Sequence, residues 1–87
     1  MYRFKWTKQA IKDWERLAKS EYAEKGKQLL EMIQLNPYQS PPWFKTLSGK
    51  HRGMFSRRIS QQHRLVYDVI EEEKIILLYS MWTHYHE

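Results

Sequence analysis

Two adjacent arginines, Arg57-Arg58, are followed by Arg64, and the last six residues read Trp82-Thr83-His84-Tyr85-His86-Glu87. A guanidinium presents a fork of donors that matches two phosphate oxygens at once. A histidine can hold or release a proton near neutral pH, and a tyrosine can orient a phosphate or stack on a base. The arginines could therefore hold a phosphate, and the histidine and tyrosine after the last strand could do proton transfer. There is no cysteine, which excludes disulfides, thiolate metal ligands and a cysteine nucleophile. His84 and His86 alternate as ligands on a strand might, but no third histidine or carboxylate completes a set, so no metal or other cofactor is expected.

The charge distribution points the same way. Fifteen Lys and Arg against ten Asp and Glu leave a net +5 over 87 residues. From Met32 to Tyr67 there is no acid at all, while Lys45, Lys50, Arg52, Arg57, Arg58 and Arg64 contribute six positive charges, to which His51 and His63 could add. Such a segregated field attracts a polyanion. Trp43, Phe44, Phe55, Tyr67 and Tyr85 are interleaved with these cations, the combination that stacks unpaired bases while holding phosphates. Phe55 and Tyr67 are expected in the core.

These residues need a scaffold, and the pattern supplies one. Tyr2–Trp6 alternates apolar with basic, as a half-buried strand does. Thr7 suits a helix N-cap, and Ala10, Ile11, Trp14, Leu17 and Ala18 fall on one helical face. Ser20 can cap a second helix with a Tyr22, Gly26, Leu29, Leu30 and Ile33 stripe, ended by Asn36-Pro37. Residues 37–53 hold all three prolines and read as an ordered loop with room for a short strand. Strand-like runs follow at Met54–Ser60, His63–Ile70 and Lys74–Met81, the last apolar enough for a central strand covered on both faces. The expected fold is α+β, in the order β-α-α-β-β-β with an optional extra short strand. Two N-terminal helices pack on one face of a small, mainly antiparallel sheet, in a single domain over 1–87.

Pairing register decides which arginines meet. If 59 pairs with 63, Arg58 lies opposite Arg64; if 60 pairs with 63, Arg57 shares that face instead. Either pairing opposes like charges, which a bound phosphate would relieve.

The run Gly53-Met54-Phe55-Ser56-Arg57-Arg58-Ile59, then Gln62-His63-Arg64-Leu65-Val66-Tyr67 and Trp82-Thr83-His84-Tyr85, resembles the YoeB/Txe toxins of the RelE superfamily along the whole chain. The resemblance implies a cytoplasmic, microbial-RNase-like toxin that cuts messenger RNA in the ribosomal A site, without a metal. It also implies a YefM-like antitoxin as partner, ribosome and mRNA as targets, and a homodimer; no membrane role is expected. Carried over residue by residue, the active site is Arg58, Arg64, His84 and Tyr85, which favours the register that opposes Arg58 to Arg64. Lys45, Lys50, Arg52 and Arg57 are left as substrate-binding cations. Relatives often carry a glutamate, proposed as general base, where this chain has Lys45. Lys45 could be a base only if held neutral near pH 7, at a cost of roughly 4 kcal/mol, so a proton relay through His84 or the ribosome is the expected alternative. Two rival functions use the same residues: inhibition of DNA gyrase, as in other toxins of the superfamily, and non-catalytic binding of nucleic acid.

Overall fold

A computed structural model describes residues 1–48 and 53–82 of the chain. The elements follow the expected order: β1 (Arg3–Trp6), α1 (Lys8–Leu17), α2 (Ala23–Leu35), β2 (Phe44–Thr46), β3 (Phe55–Arg58), β4 (Arg64–Ile70) and β5 (Ile75–Ser80). The strands form one five-stranded sheet in the order β1-β5-β4-β3-β2. β1 runs parallel to β5, and the remaining neighbours are antiparallel. The optional short strand is β2, at the edge.

Thr7 joins strand to helix. Its Oγ1 accepts from the Ala10 amide at 3.0 Å and donates to the Tyr79 carbonyl at 2.7 Å, so the N-cap of α1 is also pinned to β5. The buried stripe of α1 differs from the apolar reading. Ile11 is 48% exposed, whereas Asp13 is buried with Ala10 and Leu17. Asp13 earns its place by hydrogen bonding: one oxygen accepts from Gln9 Nε2 at 2.7 Å and the other from the Met81 amide at 3.0 Å. With both oxygens satisfied, the carboxyl ties α1 to the end of β5.

Ser20 bridges the two helices, its hydroxyl donating to the Leu17 carbonyl at 2.7 Å and accepting from the Tyr22 amide at 3.1 Å. The second helix starts at Ala23, two residues later than a Ser20 cap implies. Gly26 sits where the helices touch; a Cβ there would lie 2.6 Å from Leu17 Cδ2. Leu29 and Ile33 of α2 join Leu17, Leu65, Tyr67, Ile76, Leu78 and Met81 in the core. β5 is internal as expected but alternates: Ile76, Leu78 and Ser80 are buried, and Ile75, Leu77 and Tyr79 are half-buried. One face of the sheet is therefore packed by the helices while the other is only partly covered.

Candidate functional site

The β3–β4 hairpin settles the register. Arg58 stands directly opposite Arg64, and Arg57 opposite Leu65. The turn is tight because the Ile59 and Ser60 amides both donate to the His63 carbonyl, at 2.9 and 3.0 Å. The Ser60 hydroxyl in turn accepts from the His63 amide at 3.0 Å and the Gln62 amide at 3.2 Å. Arg58 is exposed and Arg64 half-buried. Neither finds a carboxylate among the salt bridges of the described residues. Two like charges held opposite each other at a strand end repel, and an anion between them would relieve that repulsion. Beside them lies a cleft of about 410 Å³, lined by Lys25, Pro42, Trp43, Arg58, Ile59 and Arg64.

Arg57 is a correction to the sequence reading. Strand alternation turns it to the opposite face from Arg58, where it is fully buried and cannot reach a phosphate bound at the arginine pair. Its Nε donates to the Tyr67 hydroxyl at 2.8 Å, its Nη1 to the Pro42 carbonyl at 2.7 Å, and its Nη2 to the Pro37 and Gln39 carbonyls at 3.1 and 2.7 Å. The Phe44 ring lies under the guanidinium, 4.5 Å from its carbon to the ring centroid. Tyr67 donates onward to the Pro37 carbonyl at 2.7 Å. Burial raises the Tyr67 phenol above its usual pKa, against the opposing pull of the Arg57 charge. The buried cation is thus the clamp that folds the proline loop onto the sheet.

Lys45 pairs with Ser56 across β2 and β3, and alternation puts Lys45, Ser56, Arg58 and Arg64 on one face. Val66 extends that row on β4 and pairs with Ser80 across a register shift between Val66 and Tyr67. The hydroxyls of Ser56 and Ser80 are buried without a hydrogen-bond partner among the described residues.

At the far end of the hairpin His63 is sandwiched between aromatic rings. It stacks on Trp82 with centroids 4.1 Å apart and meets the edge of Tyr22 at 5.5 Å. Its Nδ1–H donates to the Trp82 carbonyl, and Arg16 lies 5.7 Å over the Trp82 ring. The last described residue is thereby fixed beside the neighbour of Arg64. His84, Tyr85, Lys50 and Arg52 lie outside the described residues.

Residues 6–85 match the model of a family described as YoeB-like toxins of bacterial type II toxin–antitoxin systems. The chain belongs to that family. A search of curated proteins gives no significant match. Among solved structures, a YoeB/ParE toxin from Agrobacterium tumefaciens is 26% identical with a TM-score of 0.85, covering 95% of this chain and 99% of that one. A YoeB–YefM complex from Staphylococcus aureus gives 27% identity and a TM-score of 0.80, over 98% and 99% of the two chains. A YafQ variant from Escherichia coli, 18% identical with a TM-score of 0.81 over 97% and 94%, shares the fold.

For this YoeB-like toxin, the structure brings together Arg58 and Arg64 of the sequence-derived site, sets Lys45 on their face, and removes Arg57. It adds Lys25, which comes from α2 and sits in a helix with mixed charges, so no basic run marked it. Of the aromatics, Tyr67 is buried and Phe55 packs against it at 5.4 Å, whereas Trp43 is 70% exposed. No helix among the described residues is long and apolar enough to cross a membrane.

Proposed function

We propose that this YoeB-like toxin is an endoribonuclease that cuts messenger RNA in the ribosomal A site. The observation carrying this reading is the Arg58–Arg64 pair, held directly opposed, without a carboxylate partner among the described residues, in a segment free of acids from Met32 to Tyr67. Attack of a ribose 2′-oxygen on the adjacent phosphorus forms the P–O2′ bond and breaks the P–O5′ bond, leaving a 2′,3′-cyclic phosphate and a 5′-hydroxyl. Arg58 and Arg64 stabilise the extra negative charge of the five-coordinate state. His84 donates the proton to the departing 5′-oxygen, and Tyr85 orients the phosphate. Lys45 steadies the phosphate from the same face, and the proton leaving the 2′-hydroxyl either passes to a ribosomal group or is taken by neutral His84 and relayed to the 5′-oxygen.

Primer extension on messenger RNA after brief induction tests the reading. Discrete cuts within codons support it; intact transcripts, or arrest of DNA gyrase instead, would sink it. Lys45→Glu should retain substantial cleavage, since it restores the residue relatives often carry there.

The partner follows from charge. A basic toxin must be silenced in its own cell, and an acidic antitoxin segment that folds over the arginine pair would do so. The Staphylococcus aureus relatives include a YoeB–YefM complex and a YoeB dimer, which supports a YefM-like antitoxin and self-association here. Antitoxin binding should weaken as salt rises.

A further inference from the structure

We propose that the Trp43 indole is a stacking platform for an unpaired RNA base next to the phosphate held by Arg58 and Arg64, with Lys25 contacting a second phosphate. This rests on the nuclease reading and names a residue that would hold the nucleotide flanking the cut. Trp6, Trp14 and Trp82 all pack against the core, whereas Trp43 is 70% exposed. A lone exposed indole would mean little. Its presentation is what matters. The carbonyl just before it, on Pro42, accepts from Arg57 Nη1 at 2.7 Å, and the ring just after it, Phe44, lies under the same guanidinium. Phe44 is further locked edge-on against Phe55 at 5.3 Å. One buried cation therefore grips both neighbours of Trp43, and the indole projects from a fixed backbone.

The surroundings select the ligand. The cleft that Trp43 lines also holds Lys25, Arg58 and Arg64, and no acid among the described residues. Cations that track a backbone beside a flat aromatic ring are the parts of a single-strand RNA site, since every base offers a face to stack. A ring adjacent to the arginine pair would meet the base that flanks the held phosphate. Arg57 is then a positioning residue that acts through Trp43 and its loop.

The test compares Trp43→Ala and Trp43→Phe with the unmodified protein. Binding of a single-stranded RNA of about six nucleotides is followed by the dissociation constant and by tryptophan fluorescence. We expect Trp43→Ala to weaken binding about tenfold, equivalent to about 1.4 kcal/mol and within the range for one base–aromatic stack. Trp43→Phe should keep most of the affinity yet lose the fluorescence quenching that RNA causes in the unmodified protein. On ribosomes, Trp43→Ala should redistribute cuts among codons. Unchanged affinity, quenching and cut sites in Trp43→Ala would overturn the proposal. So would loss of antitoxin binding with RNA binding intact, which would make the indole a protein-docking residue. Should the unmodified protein leave ribosomal messenger RNA whole, the nuclease reading fails, and the oligonucleotide arm still decides whether Trp43 stacks a base.

Discussion

Arg57 and Arg58 are neighbours on one strand and lead opposite lives. Arg57 is buried, and all of its nitrogens donate to three carbonyls and a phenol within the protein. Arg58 is exposed and faces another arginine. A guanidinium tolerates both settings because it stays charged and can share its protons among neutral acceptors. The first setting closes a loop; the second leaves donors for a ligand. In this toxin the structural cation and the candidate catalytic cation are separated by one peptide bond, and the pleat of the strand alone keeps their tasks apart.

Mutations can break this contrast from either side. The largest effect is expected at Arg57→Ala, which leaves the Pro37, Gln39 and Pro42 carbonyls and the Tyr67 hydroxyl without their donor. Urea unfolding should show a loss of about 3–5 kcal/mol, whereas Arg58→Ala should stay within about 0.5 kcal/mol of the parent or gain slightly from relieved repulsion. A marginal loss at Arg57→Ala would mean that the loop is not held by the clamp. On the catalytic side, Arg64→Ala should lower ribosome-dependent cleavage about 10²–10³-fold with a melting temperature near the parent's. Retained cleavage would remove Arg64 from the site.

A subtler probe of the clamp is Tyr67→Phe, which keeps the ring in the core but deletes one acceptor and one donor. A cost of about 1–2 kcal/mol in unfolding experiments, with cleavage unaltered, would place Tyr67 on the structural side.

The smallest effect should come from the surface cluster at the β4–β5 turn. Glu71 accepts from Tyr2 at 2.9 Å, from Tyr38 at 2.7 Å and from Lys74. The Lys74 bond foremost, then those from Tyr38 and Tyr2, lower its carboxyl from the usual 4.5 to about 2. The same hydrogen bond to Glu71, after desolvation, raises the Tyr38 phenol. Because the folded-state pKa is depressed, the stabilisation is present in full above pH 4.5 and is lost as pH falls through about 2. Stability measured across that window should decline less steeply in Glu71→Gln; an identical slope would show that the cluster carries no linkage.

The element order was legible because the chain is locally consistent: Thr7 caps, Asn36-Pro37 stops, and three β-rich runs follow one another. Asp13 was hidden, since an apolar periodicity count favours Ile11 and cannot know that the Met81 amide needs an acceptor. Lys25 was hidden for a related reason: on α2 it is one charge among several, and only the fold carries it to the arginine pair. Phe55 and Tyr67 could be placed in the core from the sequence, but Trp43 could not be told apart from Phe44, because burial depends on which face the helices cover.

By itself the sequence determined the family, the cation-rich segment and the rule that Arg57 and Arg58 must point to opposite faces, since a strand alternates with period two. It also narrowed the hairpin to two registers. Which register forms, and which arginine is swallowed by the core, was decided only by tertiary structure. The helices and the proline loop cover one face of the sheet, and a guanidinium can be buried there only because three loop carbonyls and the Tyr67 hydroxyl converge on it from residues 10 to 20 positions away in the chain.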